Sequence, residues 1–157
     1  MAPMSAGKER LQADLTEAMR ARDDITVSTL RMALTAVTKA EVAGTEAIEL
    51  DDDTILVLLA AESKKRAEAA DLYEQGGRAE LAAKERAEMA VLARYLPTAL
   101  SDDELAAIVA EEVAVAAGSG AEGGKAMGAV IKAVRDRVGQ RADGGRIAAA
   151  VKAALAG

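Results

Sequence analysis

The sequence contains no histidine, cysteine, tryptophan or phenylalanine, and its only aromatic residues are two tyrosines. These absences exclude zinc sites built from His and Cys, thiol nucleophiles, disulfides and catalytic triads that depend on His. No stretch approaches the roughly 18 apolar residues of a membrane-spanning helix, and the N-terminus has no apolar signal region. Because the absence of cysteine also fits the reducing cytoplasm, we expect a soluble cytoplasmic protein.

The composition is that of a globular protein. Apolar residues make up 51% of the 157 residues, mostly Ala with Leu and Val, and charged residues make up 29%. This length is enough for one ordinary domain or two small ones. Side chains as small as Ala allow helices to approach one another closely.

Apolar residues recur at helical spacing along the whole chain, with glycine, proline or a capping residue where each helix is expected to end. We predict an all-α fold of seven helices without strands. The first is expected over about 5–22, the second over 24–44, the third after the acidic run 51–53 until Gly76-Gly77, and the fourth from about Leu81 towards Tyr95. The fifth follows Ser101, the sixth covers 125–138, and the seventh follows Asp143.

The domain boundary is predicted near Pro97, because proline disfavours helix at the residue before it. Ser101 and Glu104 have the spacing of a capping box, which starts a new helix immediately afterwards. We therefore predict an N-terminal domain of about four helices over residues 1–97 and a C-terminal three-helix domain over residues 98–157.

Several charged residues suggest chemistry, but structural roles are favoured for them. The acidic run Asp51-Asp52-Asp53 is interpreted as a helix N-terminus rather than a metal site, since hard cations need six or more converging oxygens. The pairs Glu62 with Arg66 and Glu85 with Glu88 are interpreted as surface or interdomain ion pairs rather than acid–base catalysts. Gly77-Arg78 is interpreted as a helix end followed by a solvated or salt-bridged arginine. We expect no catalytic residue, metal or cofactor.

Charge is distributed unevenly along the chain. Residues 118–157 contain seven basic and three acidic side chains, a net +4, whereas residues 1–117 have a net charge of −10. Overall acidity argues against nucleic-acid binding across the whole surface, but a local basic face can still bind phosphate.

The sixth predicted helix has such a face. At 100° per residue, Lys125, Gly128, Lys132 and Arg135 lie within one arc of 80° beside an apolar face that includes Met127, Val130, Ile131, Val134 and Val138. A glycine inside a helix costs about 1 kcal/mol relative to alanine. We favour the interpretation that a neighbouring helix packs on Gly128. The alternative, which can hold at the same time, is that a phosphate backbone crosses there.

Arg141 follows Gly139 in a short loop next to the start of the last helix. Helix N-termini attract phosphate, so Arg141 is interpreted either as a phosphate contact or as a structural partner of Asp143 or Glu122. The complete predicted nucleic-acid-binding set is Lys125, Gly128, Lys132, Arg135, Arg141, Arg146 and Lys152.

Several motifs, taken together, resemble those of the YqeY family. In the C-terminal half they are Met127-Gly128, Gly139-Gln140-Arg141-Ala142-Asp143, Ile147, Val151-Lys152 and Leu155. In the N-terminal half they are 28–32 (Ser-Thr-Leu-Arg-Met), Glu62, Lys64, Arg66, Gly77-Arg78, Leu81, Glu85, Glu88 and Tyr95-Leu96-Pro97.

The C-terminal half of this family is similar to the tail domain of the B subunit of the tRNA-dependent amidotransferase. The resemblance implies an all-helical accessory protein of translation that binds tRNA or a tRNA-handling enzyme through its C-terminal domain. Carbon-nitrogen ligase activity would be a label inherited from the larger enzyme, whose catalytic parts are absent. The alternative is a protein-interaction adaptor whose acidic N-terminal domain binds a basic partner.

Overall fold

A computed structural model describes residues 4–156, and this range contains seven α-helices and no strand. The predicted all-α fold is therefore confirmed. The helices are α1 (Ala6–Ala21), α2 (Asp24–Glu41), α3 (Asp52–Gln75), α4 (Ala79–Ala93), α5 (Asp102–Gly118), α6 (Gly123–Val138) and α7 (Gly144–Ala156). A short 3-10 turn, Gly139–Arg141, lies between α6 and α7. None of the described helices combines the length and the apolar character that crossing a membrane requires.

The chain divides into two compact units, the first ending at Leu96 and the second beginning at Pro97. Helices α1 to α4 belong to the first unit and α5 to α7 to the second. Each unit has its own hydrophobic core. That each unit folds alone, as domains 1–97 and 98–157, remains a prediction.

In the first unit, four helices enclose a core of aliphatic side chains. The largest fully buried members are Leu11, Leu30, Val37, Leu59 and Leu92. Helices α3 and α4 pair along their length and are joined by a turn in which Gly77 has φ 73°, a conformation that glycine adopts without steric cost. This turn confirms the predicted end of the third helix.

The end of the first unit is held by Tyr95. Its hydroxyl donates to Asp14, and the guanidinium of Arg10 lies 4.5 Å from the centre of its ring. Burial raises the pKa of the Tyr95 hydroxyl, and the hydrogen bond to the Asp14 carboxylate raises it further. The aromatic ring thereby fixes the segment before Pro97 against α1.

Helix ends agree with the sequence where the capping signal is local. Ser5 and Asp51 accept hydrogen bonds from the backbone N–H groups of Lys8 and Thr54, at 3.2 and 2.8 Å. Ser101 and Glu104 form the predicted capping box at the start of α5. Asp51 is therefore a helix cap, as the sequence indicated.

The predicted end of the second helix was wrong, because α2 ends at Glu41 instead of Gly44. The carbonyl of Glu41 accepts from Ile48 N–H at 2.9 Å, and its carboxylate accepts from Leu50 N–H at 3.3 Å. The chain folds back on the helix end, so that residues 42–50 cap α2 instead of continuing it.

The second unit is a three-helix arrangement of α5, α6 and α7. Its core is formed by Leu105 and Val109 of α5, Val130 and Val134 of α6, and Ile147 and Val151 of α7. Helix α6 begins at Gly123, two residues before the predicted start at Lys125. The loop before α5 is fixed to this unit because Leu100 N–H donates to the carbonyl of Arg141 at 2.8 Å.

Candidate nucleic-acid interface

Helix α6 is amphipathic, as predicted. Val130, Val134 and Val138 are buried in the second core, and Met127 and Ile131 are partly buried beside them. The face that includes the four predicted site residues is solvent-exposed: Lys125, Gly128, Lys132 and Arg135. A helical period with one apolar stripe is sufficient to orient these residues outward.

Gly128 is not covered by another helix. A Cβ atom placed on this residue meets no heavy atom within 4 Å, other than its chain neighbours and the backbone of its own helix. The favoured interpretation, that a neighbouring helix packs on Gly128, was therefore wrong. The glycine leaves a bare stretch of helix surface between basic side chains, with room for an approaching group.

The basic side chains of this face differ in their existing partners. Lys132 Nζ pairs with Asp136 Oδ2 at 2.9 Å, and both side chains are well exposed. For Lys125 and Arg135, the described part of the chain offers no carboxylate within 4.0 Å. An exposed pair four residues apart on a helix is worth only about 0.3 to 0.5 kcal/mol, so Lys132 can exchange Asp136 for another anion at little cost.

Arg141 and Arg146 bind backbone carbonyls at the start of the second unit. Arg141 Nε donates to the carbonyl of Thr98 at 3.3 Å, so the predicted structural partners Asp143 and Glu122 were wrong. Arg146 Nη2 donates to the Leu100 carbonyl at 2.9 Å and to Asp102 Oδ1 at 2.8 Å. Both arginines thereby hold the segment before α5 in place. Arg146 makes two such contacts, which indicates a structural role.

The start of α7 is already occupied by a carboxylate. Asp143 Oδ1 accepts the backbone N–H of Arg146 at 2.8 Å, which confirms Asp143 as the predicted cap. A phosphate beside Arg141 would have to compete with this carboxylate for the helix N-terminus. Lys152 is exposed on α7. At 100° per residue it lies 120° around the helix from Arg146, so these two predicted site residues occupy different sides of α7.

The second unit as a whole is less basic than its segment 118–157. Residues 97–157 contain seven basic and eight acidic side chains, a net charge of −1. The difference arises because α5, which contributes five of these acids, packs against the basic helices. Arg137, for example, pairs with Glu111 at 2.7 Å and with Glu112 at 3.1 Å. Any phosphate attraction must therefore be local to the α6 face.

The charged pairs of the first unit include a buried network. Arg66 Nη1 binds Glu62 Oε2 at 2.9 Å and Arg66 Nε binds Glu88 Oε2 at 3.0 Å, with Arg66 and Glu88 about 95% buried. The predicted ion pair of Glu62 with Arg66 is therefore present, but its expected place at the surface or between domains was wrong, because Arg66 is buried within one unit. Glu88 pairs with Arg66 and not with Glu85. Burial opposes ionisation of Glu62, but hydrogen bonds from Arg66 and Lys65 outweigh it and lower the pKa of this carboxyl.

Acidic residues elsewhere in this unit have structural partners. Asp52 Oδ1 accepts the backbone N–H of Gly7 at 2.8 Å, which joins the start of α3 to α1. The described residues contain no cluster of three or more His, Cys, Asp or Glu side chains that could hold a metal ion. The predicted site residues of α6 thus form an exposed, largely basic face.

Comparison with known proteins agrees with the motifs in the sequence. The family model described as Yqey-like protein matches residues 8–155, which is nearly the whole chain. No curated protein matches the chain significantly. The agreement of this match with the all-helical fold leads to one identification: the chain belongs to the YqeY family.

Proposed function

We propose that this protein is a cytoplasmic accessory protein of translation that binds tRNA through the exposed face of α6. The face comprises Lys125, Gly128, Lys132 and Arg135, and it is called the α6 face below. In this proposal the protein has no catalytic site of its own. Amide transfer and phosphorylation belong to other parts of the amidotransferase to which the C-terminal half of the family is similar.

The observation that supports the proposal most is the open surface over Gly128. A glycine inside a helix is unfavourable by about 1 kcal/mol relative to alanine, and no packing contact in this unit compensates for it. The missing side chain lets a phosphate backbone approach the helix surface between the flanking Lys and Arg side chains. Lys125 and Arg135 are available for this contact, since neither has a carboxylate partner among residues 4–156.

The low net charge of the second unit limits the expected mode of binding. Because residues 97–157 have a net charge of −1, long-range attraction of tRNA is weak. We expect a small number of phosphate contacts, a modest affinity and a shallow dependence on salt. Arg141 and Lys152 are peripheral to this contact, and the bonds of Arg146 to Leu100 and Asp102 favour a structural role for that side chain.

The experiment that tests the proposal compares two arginines in the same turn of α6. Arg135→Gln removes a cation of the α6 face, whereas Arg137→Gln removes one that pairs with Glu111 and Glu112 of α5. Fluorescence anisotropy with labelled tRNA should show weaker binding for Arg135→Gln only. The slope of log K against log salt should also fall by about 0.7 to 0.9 for that variant. Equal effects of both substitutions would contradict a specific α6 face.

A further inference from the structure

An open groove of about 550 Å³ lies between α2 and α3 in the first unit. On the α2 side it is lined by Met32, Ala36, Ala40 and Ala43, which follow one another at spacings of four, four and three residues. These residues therefore lie along one side of α2 and extend just past its end, over roughly 16 Å. The three alanines contribute only methyl groups, so the backbone of α2 is accessible to a close neighbour.

The charge around this groove is opposite in sign to that of the unit that contains it. Residues 1–96 contain 13 basic and 18 acidic side chains, a net charge of −5. The groove itself is lined by two cations, Lys39 and Lys65, and by one acid, Glu62. The Glu62 carboxylate is already bound by Arg66 and Lys65. A ligand in the groove therefore meets a local excess of positive charge.

A buried cation lies behind one wall of the groove. Nε and Nη1 of Arg66 bind Glu88 and Glu62, but the only partner that the described residues give to Nη2 is the sulfur of Met32, at 3.5 Å. A thioether is a weak acceptor, so this arginine retains unused capacity to donate. Met32 is 49% exposed and lines the groove. Its flexible side chain covers Arg66 from the solvent side.

We propose that this groove binds a helix of a partner protein that presents an Asp or Glu carboxylate between apolar side chains. The apolar side chains contact the alanine surface of α2 and Leu58 of α3. The carboxylate replaces the Met32 sulfur at Arg66 Nη2 and lies near Lys65, forming a charge-assisted hydrogen bond in a largely desolvated position. A long, shallow groove between two helices has the shape that a third helix fills by ridge-into-groove packing.

This partner differs from the one that the acidic composition suggested. A basic partner would be attracted to the unit as a whole, but it would be repelled at the groove by Lys39 and Lys65. The local arrangement selects an acidic, amphipathic helix. The proposal concerns α2 and α3 only and is independent of the tRNA site proposed on α6.

The test is a selection followed by a charge comparison. A displayed library of helix-forming peptides is selected against the full-length protein, and enriched peptides are expected to share one Asp or Glu flanked by apolar residues three or four positions away. The best such peptide is then synthesised with this acid and with the corresponding amide. We expect the amide form to bind about tenfold to a hundredfold more weakly, as for loss of a hydrogen bond to a charged group.

Two substitutions on α2 provide a matched control for the site. Thr35 lines the groove and Thr38 does not, although both are exposed threonines of the same helix. Thr35→Glu should weaken the acidic peptide about tenfold or more by like-charge repulsion, and Thr38→Glu should leave its affinity unchanged. Met32→Ala should widen the difference between the acid and amide peptides, because the carboxylate no longer displaces a thioether.

Three outcomes would overturn the proposal. The first is a selection that enriches no peptide, or only peptides without a shared acid. The second is an equal effect of Thr35→Glu and Thr38→Glu on peptide affinity. The third is displacement of the bound peptide by tRNA. The last result would assign the groove to RNA. The variant Arg135→Gln tests the two proposals separately. It should lose tRNA binding at the α6 face and should still bind the peptide in the groove.

Discussion

Arg66 of α3 and Glu88 of α4 form a buried ion pair in which Arg66 Nε lies 3.0 Å from Glu88 Oε2. Only 5% of the Arg66 side chain and 7% of the Glu88 side chain are exposed. Within the described residues, no buried side-chain nitrogen or oxygen lacks a hydrogen-bond partner. This buried ion pair specifies how α3 and α4 align, because any shift along the helices would leave a buried charge without its partner.

Removal of Glu88 should be strongly destabilising. Glu88→Ala leaves Arg66 buried with Glu62 as its remaining carboxylate, and we expect the free energy of unfolding to fall by about 3 kcal/mol or more. Glu85→Ala, on the same helix but without an ion pair in the described structure, should change it by about 0.5 kcal/mol or less. Urea unfolding followed by circular dichroism measures both values. Similar losses in the two variants would contradict a structural role specific to Glu88.

Stability should depend on pH through Lys8 and Glu41, whose Nζ and Oε1 atoms lie 2.7 Å apart. The hydrogen bond from Lys8 lowers the pKa of Glu41 below its ordinary value of 4.5, and the same bond raises the pKa of Lys8 above 10.5. The contribution of Glu41 is therefore present above pH 4.5 and is lost as pH falls through its folded pKa. The contribution of Lys8 is present below pH 10.5 and is lost as pH rises through its folded pKa.

The substitution Glu41→Gln tests this dependence. Urea midpoints of the parent and the variant should differ most near neutral pH and should converge as pH falls through the lowered folded pKa of Glu41. Glu68→Gln, at an exposed position inside α3 with no described ion pair, is the control for loss of a carboxylate. A difference between parent and Glu41→Gln that stays constant from acid to neutral pH would argue against the pair.

The predicted C-terminal domain can be tested as a fragment. Residues 98–157 should fold alone into a helical protein, because Leu100 N–H binds the Arg141 carbonyl and Ser101 caps α5 within this segment. A fragment that begins at residue 102 loses both contacts and should be less stable by about 1 to 2 kcal/mol. Thermal unfolding by circular dichroism distinguishes the two. An unfolded 98–157 fragment would refute its independence.

The sequence was sufficient for features that depend on neighbouring residues. The apolar face of α6, the capping box at Ser101 and the cap at Asp143 each follow from spacings of three or four residues along one helix. The end of α2 did not follow in this way, because the carbonyl of Glu41 is taken by Ile48 from a loop that folds back. The burial of Arg66 could not be predicted either, because the residue spacing within α3 does not show which side of that helix α4 covers.

The candidate site could be predicted only in part, because helical spacing determines which residues share a side but not which distant residues surround them. The positions that share one side of α6 were correct, but their surroundings depended on distant residues. The bond from Arg146 to Asp102 spans 44 residues, and the pairs of Arg137 with Glu111 and Glu112 join α6 to α5. When the charges are summed by sequence segment, Asp102, Glu111 and Glu112 are counted with residues 1–117. Folding places them beside the basic helices and largely neutralises the second unit.

The substitution Gly128→Leu tests the central claim, that tRNA binds across the α6 face, most directly. Since a Cβ atom at this position meets nothing within 4 Å, leucine should be accommodated, and its higher helix propensity of about 0.8 kcal/mol should keep the melting temperature at or above that of the parent. Ala110→Leu, which adds a similar side chain to an exposed position of α5, is the control. We expect Gly128→Leu, and not Ala110→Leu, to weaken tRNA binding about tenfold or more. A folded, stable Gly128→Leu protein that binds tRNA as tightly as the parent would contradict the claim.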